Sequence, residues 1–253
     1  MPNLVLLETH NQIATLTLNR PERHNSLVPE FLREMLNALE QVSKQTELRT
    51  LVFQANGRSF STGGDVQAFF DHRDSIQSYA SEVVGLLNQV IVSMVQLPMP
   101  IVSAVHSIVT GGSIGLVLAS DIVLVAPEVS FTPFYSVVGF SPDGGWTAMF
   151  PSVIGKKRAS EILMLNQTIT AEQAVSWGMA NRNVPANQIR DEARVIAESI
   201  AQKKWESIQR TKRLLWQETD ALAAALEQEL GKFCEQIVTA EALNGMEVFL
   251  KKR

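Results

Sequence analysis

An α/β fold is predicted by three observations. Short β-branched runs alternate with stretches whose apolar residues recur at helical spacing. The connections between them are polar and rich in Gly, Pro and Asn. From Gln188 onward the strand-like runs stop, and only helical patterns follow. Strands alternating with helices point to crossover units on a parallel sheet. The plainest organisation is a core over 1–200 and a helical region over 201–253. The second part is too thin to build its own core, so it must pack on the first or on another subunit.

Taken in order, Leu4 to Leu7 and Ile13 to Leu18 read as strands joined by hairpin material at His10-Asn11-Gln12. Asn19 to Ser26 is a polar loop. Pro29 suits a first helical turn, and Leu32, Met35, Leu36, Leu39 and Val42 then lay one helical face on the core. Thr50 to Gln54 is a third strand, followed by an Asn56-Gly57-Arg58 loop. Phe60-Ser61-Thr62-Gly63-Gly64-Asp65-Val66 is a glycine turn entering a short helix. Val83 to Val95 is a longer helix, ended by Pro98 and Pro100. The apolar run after Pro100 reads as one buried strand. It feeds Gly111-Gly112 and a buried helix over Ile114 to Ala119. Strands follow at Ile122 to Ala126 and Val129 to Phe131. Ala193, Ile196, Ala197 and Ile200 mark one late helix, and Leu222, Leu226, Leu230, Phe233 and Ile237 another. Val248, Phe249 and Leu250 mark the last.

Composition excludes several classes. The 253 residues carry a formal net charge of −4 and no long basic run, which argues against a nucleic-acid partner. Cys234 is the only cysteine, so no internal disulfide or cysteine metal site forms, and a reducing compartment fits. The four histidines show no ligand spacing, so no metal is expected. Met1-Pro2-Asn3-Leu4 lacks the regions of a signal peptide, and no apolar run reaches the roughly 18 residues of a membrane span. Lys251-Lys252-Arg253 is not a peroxisomal address. The expectation is a cytoplasmic protein with no membrane partner.

The chemistry concentrates in two turns of one design. Gly63-Gly64 and Gly111-Gly112 each place paired glycines between an extended segment and a helix start. The first N–H groups of a helix have no internal partner, and glycine lets a ligand approach the backbone closely. Such a spot suits negative charge: a phosphate, a reaction intermediate, or nothing at all. Neither turn matches a Walker or dinucleotide fingerprint, because the Lys-Ser/Thr and the third spaced glycine are missing.

Several segments in fixed order carry a resemblance. They are Leu18-Asn19-Arg20-Pro21 with Asn25-Ser26-Leu27, Phe60 to Asp65, Pro100 to Val105, Gly111-Gly112 and Asp121-Ile122. Gly139-Phe140-Ser141-Pro142-Asp143-Gly144-Gly145 and Ile169 to Ala174 ahead of Trp177-Gly178 complete it. Over nearly its whole length the chain resembles the crotonase (enoyl-CoA hydratase/isomerase) superfamily. The resemblance implies a crotonase-like spiral of ββα units whose C-terminal helical region packs homo-trimers, often dimers of trimers. It implies an acyl-CoA substrate and no cofactor beyond the coenzyme A of that substrate. Gly64 and Gly112 match the two oxyanion-hole donors that hold the thioester oxygen as an enolate forms. Arg23, His24, Thr62, Asp65 and Val66 lie in segments resembling those that grip the pantetheine and nucleotide. Phe249 and Lys252 lie in the tail region from which a neighbouring subunit reaches the adenine end.

Family hydratases use two glutamates, and neither is present. One would stand three residues after the second oxyanion glycine, where this chain has Gly115. The other falls, on a gapless count, at Tyr135, which can donate a hydrogen bond but is a poor base with a pKa near about 10. Asp143, in the Pro-Asp-Gly-Gly turn, matches the single carboxylate of isomerase-type members. A double-bond shift needs only one shuttling base. Phe134, Phe140, Trp146 and Phe150 stand close enough in sequence to desolvate it. Asp65 reads as a helix cap rather than a chemical group, and His106-Ser107 as a packed strand end without an orienting acid. Three readings follow: an enoyl-CoA isomerase using Asp143; a hydratase or ring-epoxide isomerase with Asp143 as its acid/base; and an inactive acyl-CoA-binding subunit.

Overall fold

Each long helix forms for a reason visible in its residues. The computed structural model describes residues 3–251; Met1, Pro2, Lys252 and Arg253 lie outside them. After the antiparallel hairpin β1 (Val5–His10) and β2 (Ile13–Leu18), Pro29 opens α1 (Pro29–Lys44) at its first turn. Phe31, Leu32, Met35, Leu39 and Val42 bury one face of α1. The chain then runs through β3 (Thr50–Ala55), β4 (Ser59–Ser61), α2 (Val66–Asp71) and α3 (Ile76–Gln96). Helix α3 starts earlier than the Val83 expected, because Ile76 and Ala80 continue the buried stripe of Val83, Val84 and Leu87. By length and composition it could cross a membrane; here it is a core helix packed against α1 and a C-terminal helix.

The apolar run after Pro100 is two strands, not one. β5 (Ile101–Val105) lies in the first sheet and β6 (Ile108–Thr110) in the second, with the corner at His106-Ser107. The same step recurs. β3 and β4 turn at Asn56-Gly57-Arg58, and β7 (Ile122–Val125) and β8 (Ser130–Thr132) turn after Ala126. Hydrophobic pattern alone cannot reveal this, since both halves of each run are largely buried. His106 ties two corners together, its Nε2 lying 2.9 Å from the Gly57 carbonyl. Burial lowers its pKa, with nearby Arg190 acting in the same direction and the Gly57 carbonyl opposing.

Between β6 and β7, a single 3₁₀ turn over Gly111–Ser113 leads into α4 (Ile114–Leu118). After β8 come α5 (Tyr135–Val138), α6 (Phe150–Ile154), α7 (Lys156–Leu165), β9 (Ile169–Thr170), α8 (Ala171–Ser176) and β10 (Arg182–Asn183). Thr170 and Gln173 form a capping box at the start of α8. The first sheet has the order β1-β2-β3-β5-β7-β10, parallel from β2 onward. The second has the order β4-β6-β8-β9, with only β9 antiparallel. Each unit thus gives one strand to each sheet and then a helix, and the chain winds as a spiral.

The C-terminal helices α9 (Ile189–Ala201), α10 (Trp205–Leu215), α11 (Thr219–Ile237) and α12 (Ala240–Lys251) pack on this same body. Leu226, Phe233, Ile237 and Met246 join the one continuous core. α10 is pinned by buried Lys212, whose Nζ donates to the carbonyls of Met94 (3.3 Å) and Met99 (2.9 Å) and to Asp121 Oδ2 (2.9 Å). Asp121 also accepts from Ile101 N and Trp216 Nε1, which satisfies the buried pair.

Candidate active site

The two glycine turns stand side by side because β4 and β6 are parallel neighbours. They approach so closely that a Cβ on Gly63 would lie 2.6 Å from the Thr110 carbonyl oxygen. Gly63 and Gly111 take positive φ of 73° and 53°, a conformation cheap only for glycine. Ser113 links the turns: its Oγ accepts from Gly63 N at 2.9 Å and lies 2.5 Å from Ser61 Oγ. Leu27 pairs with Gly64 through bonds to its neighbours, Leu27 N to Gly63 O and Asp65 N to Leu27 O. The N–H of Gly64 is therefore left facing away from that partner. The N–H of Gly112 precedes the first bond of its 3₁₀ turn, so it too lacks a helical partner. Gly64 and Gly112 both line one cavity of about 760 Å³.

Asp143 reaches this cavity from an irregular segment folded onto the second turn. Gly144 and Gly145 take positive φ of 61° and 92°. A Cβ on Gly144 would lie 2.4 Å from the Gly112 carbonyl oxygen, so the backbones are in direct contact. The carboxylate of Asp143 packs against Gly112, with Oδ2 2.9 Å from where a Cβ on that glycine would stand. Asp143 is only 7% exposed. Phe134, at positive φ 64°, swings the chain so that Tyr135 points inward. Its hydroxyl donates to Asp143 Oδ1 at 2.5 Å, and the Asp143 carbonyl oxygen lies 3.1 Å from it.

Burial pushes the Asp143 carboxyl up to about 7; the Tyr135 hydroxyl pulls it down, and the charge of Glu229 adds to the rise. Burial, reinforced by Asp143, raises Tyr135 well above its ordinary value. Tyr135 is therefore a fixed donor that occupies Oδ1, and Oδ2 remains available on the cavity side. Among the aromatic residues expected near Asp143, Phe134 and Phe140 line the cavity. Trp146 instead donates to the Gly111 carbonyl at 2.8 Å and stacks edge-on with Phe150 in the core.

The two vacant acid positions have physical explanations. A Cβ on Gly115 would lie 2.4 Å from Ile91 Cδ1 and 2.5 Å from the Gly144 carbonyl, so no side chain fits there. At the other position, Tyr135 is engaged with Asp143.

Arg23, His24, Thr62, Asp65 and Val66 also line the cavity, on its charged side with Glu22 and Arg58. Asp65 is committed within the protein. Its side chain caps α2 through Ala68 N (3.3 Å), accepts from Ser26 Oγ (3.0 Å), and bridges to Arg20 (3.3 Å) and Arg23 (3.0 Å). Burial raises its pKa, but Arg23, Ser26 and the Ala68 N–H outweigh that and hold it low. It positions Arg23 rather than offering a free carboxylate. His24 sits at positive φ between Ser59 Oγ and Arg58 Nη2, each 3.0 Å from a ring nitrogen. Phe249 lines the cavity of its own chain and meets Phe134 edge-on at 6.1 Å. Lys252 lies outside the described residues. Among the described residues no group of three or more His, Cys, Asp and Glu could hold a metal ion.

Two site residues escaped the sequence reading. Phe233, on α11, closes the apolar end with Phe69 and Phe140 at centroid distances of 5.9 and 5.4 Å. Glu229, also on α11 and 4% exposed, accepts backbone bonds from the segment after Asp143. A glutamate inside an apolar heptad was the only available signal, and it reads as solvated.

The chain belongs to the enoyl-CoA hydratase/isomerase family, whose model matches residues 8–253. It is thus an acyl-CoA enzyme of that family, folded as the crotonase-like spiral. It is similar to the probable enoyl-CoA hydratase echA12 of Mycobacterium bovis, 34% identical over 247 residues covering 94% of this chain and 87% of that protein. It is also similar to the 1,2-epoxyphenylacetyl-CoA isomerase of Escherichia coli, 30% identical over 255 residues covering 100% of this chain and 97% of that one. A crystal structure of enoyl-CoA hydratase from Bacillus halodurans superposes with a TM-score of 0.91 at 22% identity, covering 97% of this chain and 99% of that one.

Proposed function

We propose that the chain shifts a double bond, converting a 3-enoyl-CoA to a 2-enoyl-CoA, with Asp143 as the single acid/base. The observation that carries this reading is a lone buried carboxylate against Gly112, with a side chain at 115 sterically excluded. Asp143 Oδ2 takes a proton from C2. The electron pair moves into the thioester carbonyl, and the N–H groups of Gly64 and Gly112 hold the resulting dienolate oxygen. Asp143 then returns the proton at C4, the double bond moves to C2–C3, and nothing else is consumed. A carboxyl titrating near 7 is suited to both steps, since it neither holds nor releases its proton too firmly. Arg23, His24, Thr62 and Val66 contact the coenzyme A end, with Asp65 holding Arg23 in place. Phe69, Leu87, Phe140 and Phe233 receive the acyl group. No cofactor enters the scheme.

The aromatic wall of Phe69, Phe140 and Phe233 also favours a second reading, isomerisation of a ring epoxide attached to an acetyl-CoA, the reaction named for the relative from Escherichia coli. We further propose a homo-oligomer, a trimer or dimer of trimers, because Met164, Leu165, Leu214 and Leu215 are each at least 66% exposed. Light scattering in solution reads that directly.

Asp143→Asn tests the chemistry. Turnover of 3-enoyl-CoA should fall by about 10²–10⁴-fold while acyl-CoA binding persists. In deuterated water the wild type should exchange C2 and C4 protons. Activity retained in Asp143→Asn would remove Asp143 as the base. Turnover of a ring epoxide but not of 3-enoyl-CoA would select the second reading. Binding with no exchange would mark a scaffold.

A further inference from the structure

We infer that Glu229, on the C-terminal helix α11, is the positioning residue that aims Asp143 at the oxyanion turn. The segment from Phe140 to Met149 belongs to no strand or helix, so its buried backbone groups need other partners. One carboxylate supplies three of them, for the N–H groups of Gly145, Thr147 and Ala148. Glu229 Oε2 accepts from Gly145 N at 2.7 Å, and Oε1 accepts from Thr147 N at 2.6 Å, Thr147 Oγ1 at 2.6 Å and Ala148 N at 2.9 Å. Four donors converge on a side chain that is 4% exposed and lies more than 80 residues further along the chain.

The bonds fix the turn at the place where its position matters. Gly145 is two residues from Asp143. Gly144, between them, rests directly on the backbone of Gly112, and Trp146 donates to the Gly111 carbonyl. Holding Gly145, Thr147 and Ala148 therefore helps to fix Asp143 beside Gly112. Without these bonds the segment would keep fewer restraints, chiefly Tyr135 on Asp143 and Trp146 on Gly111, and a displacement of about 1 Å at a reacting group costs on the order of 100-fold in rate. Glu229 stands one helical turn before Phe233, which lines the acyl end, so one face of α11 serves both.

Glu229 also acts by charge. Among the described residues, the titratable groups that interact with Asp143 by charge or hydrogen bond are Tyr135 from α5, Glu229 from α11 and, more weakly, Cys234 from α11. Tyr135 favours the carboxylate by donating to it, whereas Glu229 disfavours it by repulsion.

The inference rests on Asp143 being the acid/base, and its readouts are chosen to stand apart from that reading. Glu229→Ala should lower kcat about 100-fold with KM changed less than threefold, and amide exchange at Gly145, Thr147 and Ala148 should accelerate. Glu229→Gln keeps the volume and removes the charge, so it remains informative where the alanine variant does not fold. In it the Asp143 carboxyl, followed by carbon-13 NMR, should titrate at lower pH than in the wild type, and the acid limb of the rate profile should move with it. Unchanged exchange at those amides, or an unmoved Asp143 titration in Glu229→Gln, would overturn the inference whatever the reaction is. Activity persisting in Asp143→Asn while both shifts are seen would instead remove the isomerase reading and leave Glu229 as the group that places Asp143.

Discussion

At the residue scale, the candidate site turns on one carboxyl whose titration is raised by burial and pushed in opposite directions by Tyr135 and Glu229. Proton abstraction requires the ionised form, so the rate of the proposed isomerisation should rise with pH through about 7 and level off above it. Tyr135→Phe removes the bond that favours ionisation, so its acid limb should move to higher pH, opposite in sign to the charge-removing change at position 229. A pH–rate profile checks the sign. The raised carboxyl also has a cost. Folded Asp143 keeps its proton up to about 7, whereas the unfolded chain releases it near 3.8, so the folded state loses stability as pH rises between these values. Above 7 that loss is complete. Asp143→Asn carries no such charge and should melt about 5 °C higher at pH 8, the gain vanishing near pH 4. Calorimetry at the two pH values measures it.

At the element scale, three glycines let the irregular segment lie on the helix start. A Cβ on Gly144 would meet the Gly112 backbone, one on Gly115 the Gly144 carbonyl and Ile91, and one on Gly112 the side chains of Leu87 and Asp143. Gly115→Ala places a methyl against Ile91 Cδ1 and the Gly144 carbonyl. Ile91 can rotate, but the carbonyl belongs to the turn that carries Asp143. The variant should lose about 2–3 kcal/mol in denaturant unfolding and lose the proposed isomerase activity with it. Gly115→Glu should not create a hydratase, because the acid has no space to enter. The cap at Asp65 works on the same scale, joining α2 to the Arg20–Arg23 loop across one buried carboxylate.

At the scale of the whole molecule, the C-terminal helices complete the site. α11 supplies Glu229 and Phe233, and α12 supplies Phe249. Docking of α10 depends on Lys212, whose pKa burial lowers while Asp121 opposes the shift. Lys212→Met would leave Asp121 with an uncompensated charge and should cost about 3 kcal/mol. Since α10 precedes α11 in the chain, the same variant should also reduce kcat by loosening the hold on Asp143. Urea titration and steady-state kinetics on one preparation test both halves of that expectation.

The alternation of strand and helix and the two glycine turns were legible in the chain because each is local. Period, backbone freedom and residue type need only a few neighbouring positions. The sequence by itself determined the α/β class, the family resemblance and the absence of both hydratase glutamates. Only the tertiary structure decided that the run after Pro100 bends between two sheets, since both halves are equally apolar. It alone put Tyr135 on Asp143, turned Asp65 into an anchor, and excluded a side chain at Gly115. It alone brought Glu229 to the Asp143 turn. These outcomes depend on contacts between elements distant in the chain, and a buried glutamate on an amphipathic helix looks in sequence like any exposed one until the donors it meets are known.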